Sequence, residues 1–202
     1  MSQSTPTVAN TDLIAASLAA TQSVIAAMAG DAALHENVRR AADLCLASLH
    51  GGGRILLAGN GGSAGDSQHI AAELVGRFAF NRPALAGIAL TTDTSALTAI
   101  ANDYGYEAVF SRQLEALGRP GDVFIGLSTS GNSPNVVKAC EQARAMGLGC
   151  IGMTGAGGGA IAKLCDVLLA MPSTSTRHIQ EGHISVGHII CDLIEQTLFE
   201  KK

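Results

Sequence analysis

A chain of 202 residues with 47% hydrophobic and 15% charged residues is long enough to bury one substantial core and short for two independent domains. Its net charge of −4 lacks the basic footprint of a nucleic-acid or anionic-membrane binder, so neither is expected as a partner. Twenty-four glycines, two tyrosines and no tryptophan suit a tightly turning α/β protein packed with small aliphatic side chains.

The opening residues 1–7 are polar and lack the charged start and apolar run of a signal peptide; with no stretch of 18 apolar residues elsewhere, the cytoplasm is the expected compartment. Residues 12–28 read as an Ala-rich, largely uncharged helix, and 31–49 as a second helix capped by Asp31. So apolar a first helix needs a surface to cover, either a second copy of the chain or the chain's own core. Short apolar runs follow at 54–58, 84–90, 122–127, 149–153 and 166–170. Five buried strands separated by helical patterns predict a parallel sheet with right-handed crossovers and helices on both faces. A long helix over about 178–199 closes the chain. The five cysteines (Cys45, Cys140, Cys150, Cys165 and Cys191) are odd in number, lack close pairs, and read as buried small hydrophobes in a reducing compartment.

In such sheets ligands bind beyond the carboxyl ends of the strands, where this chain places polar loops at 60–63, 91–94, 128–133 and 154–159. The first, Gly59-Asn60-Gly61-Gly62-Ser63, lets backbone approach an anion and opens a helix that carries His69 and Glu73 four residues apart, on one face. An imidazole and a carboxylate so placed can serve a common ligand or metal, or form a plain surface pair. The third, Ser128-Thr129-Ser130-Gly131-Asn132-Ser133-Pro134, offers four hydroxyls before a helix over 135–146, with Ser133 placed to cap it and Pro134 at its first position. It reads as a phosphate site without lysine, or as ordinary turn chemistry. Neither loop has the spacing of a nucleotide-binding fingerprint.

These two loops, together with Thr154-Gly155, resemble the sugar isomerase (SIS) domain family, whose members bind phosphosugars. With Gln180-Glu181-Gly182-His183 and His188 added, the resemblance narrows to the phosphoheptose isomerase family and covers most of the chain. It implies one SIS domain over 1–202, a flavodoxin-like three-layer sandwich with N-terminal helices over about 10–50 for oligomer packing and an α/β core over about 52–200. It implies an aldose-ketose isomerase that converts sedoheptulose 7-phosphate to D-glycero-D-manno-heptose 7-phosphate through an enediol, the first step toward the heptose of lipopolysaccharide. Substrate contacts then fall at Asn60, Gly61, Gly62, Ser63, Glu73, Asn102, Asp103, Ser128, Thr129, Ser130, Ser133 and Gln180. One zinc per subunit falls to His69, Glu73, Gln180 and His188, with Glu73 and His188 as the proton-transfer pair. The family implies a homotetramer with sites at subunit interfaces. An aldose-ketose isomerisation needs a base, an acid and a stabiliser for the developing oxyanion, which these groups supply.

Gln180 and His188 stand eight residues apart, about 12 Å on a continuous helix. Either the helix begins near Gln180 and frees that residue, or the ligands of one site come from different subunits. His183 competes as a ligand but reads first as a core or supporting histidine. His35 and His50 read as packing or surface residues, His178 as solvated, and Asp66 as a carboxylate favourably placed at a helix N-terminus. Segments 177–180 and 191–199 are also similar to a non-catalytic SIS-domain tetramer that binds the replication initiator. A scaffold has no chemical need for Glu73 and His188, so these two residues separate the alternatives. Nothing in the sequence fixes the length of the sugar.

Overall fold

Asp31 opens the second helix by accepting hydrogen bonds from the backbone N–H groups of Ala33 at 2.9 Å and Leu34 at 3.0 Å, so the cap read from sequence is made. The computed structural model describes residues 11–199; the polar start at 1–7 and the outermost ends of the expected domain lie outside the described residues. In chain order the elements are α1 (Thr11–Ala29), α2 (Ala32–His50), β1 (Ile55–Gly59), α3 (Gly62–Val75), β2 (Gly87–Ala89), α4 (Thr94–Tyr104), α5 (Ser111–Leu117), β3 (Val123–Leu127), α6 (Pro134–Ala145), β4 (Gly149–Gly155), β5 (Val167–Met171) and α7 (Thr176–Phe199). Short 3₁₀ turns stand at Tyr106–Ala108 and Ala160–Lys163.

All five strands are parallel, in the order β2-β1-β3-β4-β5, the flavodoxin-like doubly wound arrangement. Alternation along the strands feeds two cores. Ile55, Leu57, Ile125, Leu127, Ile151 and Met153 face α2, α3 and α7, while Leu56, Ala58, Phe124 and Cys150 face α5 and α6 with α4 packed alongside. Helices thus cover both faces, as the apolar runs predict. The chain reverses its direction of winding between β1 and β3, which opens a crevice between the loops that follow them.

Three expectations change. The apolar run at 84–90 yields only the three-residue β2, because the Leu85 N–H turns away to the Leu74 carbonyl at 3.0 Å and only Gly87–Ala89 pairs with β1. The closing helix begins at Thr176, so Gln180 lies inside it and is not freed by a helix start. The third concerns α1, which is by length and composition long and apolar enough to cross a membrane, the only such helix among the described residues. Its Ala, Leu and Ile are interleaved with Thr, Ser and Gln, which hid it from a search for an unbroken apolar run. Met28 alone of α1 is buried, and Ile14 and Leu18 are exposed.

Candidate active site

Gly59 ends β1 where any side chain would strike Ser63: an added Cβ would lie 2.7 Å from the Ser63 Cβ. The glycine lets α3 start directly against the strand, and Gly61, at φ +56°, makes the turn that only glycine adopts without strain. Asn60, between them, exchanges two 2.8 Å amide hydrogen bonds with the buried Asn135 and accepts a third from the Tyr106 hydroxyl at 3.1 Å. The Asn60–Asn135 pair bridges the crevice between β1 and β3. A cleft of about 500 Å³ opens beside it, lined by Asn60, Tyr106, Glu107, Ser133 and Asn135, a size suited to a small ligand.

Across the crevice, the serine loop is drawn in by its own hydroxyls. The Ser128 Oγ lies 2.8 Å from the Ser133 Oγ and 3.4 Å from the Ser130 Oγ. Gly131, at φ +67°, passes so close to the Gly158 carbonyl that a Cβ would come within 2.1 Å of it. Ser133 stands at the N-cap position of α6 with Pro134 after it, yet its side chain makes no capping bond and turns to Ser128 instead. The capping role expected of it is therefore corrected. The hydroxyls cluster at the positive end of the helix, which suits an anion. Thr129 is held through its carbonyl, which accepts from the Gly155 N–H at 3.0 Å.

On the other face, α3 and α7 run side by side and bring His69, Glu73 and His188 together, with their ligand atoms all within 4.8 Å of one another. His69 Nε2 lies 3.4 Å from His188 Nε2 and 3.3 Å from Glu73 Oε1. A tetrahedral zinc site with bonds of about 2.1 Å has ligand-to-ligand edges of about 3.4 Å, which the two distances from His69 match, so the three side chains offer donors for a divalent metal ion. Asp66, one turn before His69, keeps its Oδ2 buried without a hydrogen-bond partner. Burial pushes its carboxyl above the usual value, opposed by the nearby His69 and His188. Asp66 lies past the first turn of α3, so the place at a helix start expected of it is corrected.

Gln180 packs against the first turn of α3, where a Cβ on Gly62 would lie 2.5 Å from its Nε2. Asn102 and Asp103, on the exposed last turn of α4, bond each other at 2.7 Å, and no hydrogen bond ties them to Asn60 or the serine loop among the described residues. His183 is fully buried, its Nε2 is 3.1 Å from the Thr154 carbonyl, and burial lowers its pKa to about 4, so it is a neutral core histidine. His178 is not solvated: it is buried, 3.3 Å from the Thr21 hydroxyl and 3.0 Å from Glu181, and it ties α1 to α7. Burial raises the Cys45 and Cys191 thiols to about 12, in keeping with inert packing residues.

Sequence reasoning passed over Asn135 and Tyr106. Asn135 had a signal, an amide two residues beyond Ser133 at a position that faces the sheet; Tyr106, three residues beyond Asp103, had only its proximity to that motif.

The SIS domain family model matches residues 11–155. The chain is 58% identical over 186 residues to a phosphoheptose isomerase of Burkholderia pseudomallei (strain K96243), which covers 92% of this chain and 94% of the relative. A solved phosphoheptose isomerase of Neisseria gonorrhoeae superposes with a TM-score of 0.86 at 47% identity, covering 92% of this chain and 98% of that one. One from Francisella tularensis gives a TM-score of 0.89 at 34% identity, covering 94% and 100%. Fold, crevice and these likenesses agree: the chain belongs to the SIS domain family and, within it, to the phosphoheptose isomerases.

Proposed function

We propose that this chain isomerises sedoheptulose 7-phosphate to D-glycero-D-manno-heptose 7-phosphate, supplying the heptose of a lipopolysaccharide core. The observation that carries this is that one chain holds both a hydroxyl-ringed helix start and a His69–Glu73–His188 cluster. A non-catalytic assembly of the same fold has no use for the second.

In this reading Ser128, Thr129, Ser130 and Ser133 hold the phosphate, aided by the N-terminus of α6. Asn60, Gly61, Gly62, Ser63 and Gln180 face the sugar chain, and Asn102 and Asp103 complete the rim. Glu73 takes a proton from C1 of the ketose and returns it to C2, while His188 passes a proton between the two oxygens of the enediol. A bound zinc would polarise those oxygens and lower the cost of the developing negative charge. His69, Glu73 and His188 would hold it, with Gln180 supplied from a neighbouring subunit. That arrangement answers the eight-residue separation of Gln180 from His188 within the continuous helix α7.

The assembly we infer is a homotetramer of one-domain subunits in the cytoplasm. The exposed apolar residues of α1, Ile189 and Leu193 on α7, and an apolar hollow of about 450 Å³ between α1, α2 and α7 support a buried interface there. The test is incubation of metal-loaded protein with sedoheptulose 7-phosphate: the aldose 7-phosphate is expected, and its absence from a folded, metal-loaded sample defeats the reading.

A further inference from the structure

A buried ion pair lies beside the cluster and takes no part in the chemistry above. Glu195, on α7 two turns beyond His188, is fully buried. Its carboxylate accepts the backbone N–H groups of Phe78 at 2.8 Å, Ala79 at 2.5 Å and Phe80 at 3.3 Å, and the Arg82 Nε at 2.9 Å. The Arg82 side chain, 2% exposed, donates Nη2 to the Glu73 carbonyl at 2.7 Å and Nη1 to the Leu74 carbonyl at 2.8 Å. Those carbonyls belong to the last turn of α3, which the helix cannot satisfy itself. At the start of the pinned strip, the Phe78 ring stands 5.6 Å from the His188 ring at 42°.

The connections converge on the cluster from three sides. Arg82 grips the backbone of Glu73, Glu195 shares a helix with His188, and Phe78 rests on the His188 imidazole. The ion pair thus joins α7, which carries His188, to the last turn of α3, which carries His69 and Glu73. Stability alone calls for less: a hydrophobic pair of similar volume serves a core as well as a buried ion pair does. What it lacks is a fork that holds two named carbonyls in fixed register.

We propose that Arg82 and Glu195 are positioning residues that hold His188 and Glu73 at metal-binding separation. This rests on the reading of His69, Glu73 and His188 as a metal site.

The test compares the parent chain with Glu195→Gln and Arg82→Lys, which keep volume or charge but lose, respectively, the anionic acceptor and the fork. Zinc affinity is read by competition with a chelator, and cobalt-substituted samples report ligand geometry by their visible absorption. The proposal expects both folded variants to bind zinc at least tenfold more weakly, with an altered cobalt spectrum, while retention of inorganic phosphate by the serine loop stays within twofold. Folded variants with zinc affinity within twofold of the parent and an unchanged cobalt spectrum overturn it. If neither variant folds, the parent decides: coupling is reciprocal, so zinc must slow amide hydrogen exchange at Phe78, Ala79 and Phe80, and unchanged exchange overturns the proposal. A parent that binds no zinc, or binds it equally well after His188→Ala, defeats the metal-site reading itself. Zinc binding that depends on His188 but not on Glu195 or Arg82 defeats only the positioning role.

Discussion

Replacing Ser133 by alanine separates an anion-binding hydroxyl from a helix cap. A true N-cap serine costs about 0.5–2 kcal/mol of stability when removed. Here the hydroxyl caps nothing; it bonds the Ser128 Oγ at 2.8 Å, and Ser128 keeps a 3.4 Å contact with Ser130 and another with the Ser133 N–H. The stability loss is therefore that of one neutral hydrogen bond, about 1 kcal/mol. With a phosphate in place the same hydroxyl makes a bond to a charged group, worth about 1.5–3 kcal/mol. That converts to a loss of roughly 10- to 100-fold in affinity, since 1.4 kcal/mol is a factor of about ten. Urea unfolding of the ligand-free variant and steady-state kinetics measure the two halves: KM rises by that factor while kcat changes little. A variant that loses about 2 kcal/mol or more of stability with KM unchanged returns Ser133 to the role of an ordinary cap.

His183 gives a pH signature. Its folded pKa, about 4, lies below its ordinary value of 6.5, so the unfolded chain takes up a proton that the folded one refuses. Its contribution is whole above pH 6.5 and is lost as pH falls toward 4, at up to about 1.4 kcal/mol per unit; His183→Leu flattens that slope in urea titrations. Glu195 acts in a more acid window: burial pushes its pKa up, but hydrogen bonds from Ala79, Phe78, Arg82 and Phe80 outweigh burial and hold it below the usual carboxylate value. Its stabilisation is present above pH 4.5 and fades below, so the deficit of Glu195→Ala against the parent, about 3–5 kcal/mol at pH 7, narrows when both are unfolded at acid pH. Gln180→Ala, which removes the amide packed on Gly62, raises KM more than tenfold, and in the isolated subunit leaves zinc affinity within threefold.

The parts of this molecule visible in the sequence are those that local chemistry dictates. The five short apolar runs, each followed by a turn, made the strands legible, because a strand buried on both faces must be apolar, although the run at 84–90 yields only three paired residues. His69 and Glu73 were legible as a pair by their helical spacing. What escaped depends on distant partners. Arg82 and Glu195 are 113 residues apart and carry no local motif. His178 looked solvated because its hydroxyl partner, Thr21, lies 157 residues away. The early start of α7 at Thr176 was hidden by a polar first turn, and it is this start that places Gln180 against Gly62.

The proposed isomerase rests on Glu73 as its general base. The direct measurement is the rate of aldose formation from sedoheptulose 7-phosphate by the parent and by Glu73→Gln, each with its metal content determined on the same sample. Loss of a positioned general base costs about 10²- to 10⁴-fold, so kcat falls at least a hundredfold in a folded variant that still binds phosphate. A Glu73→Gln protein that turns over within tenfold of the parent contradicts it.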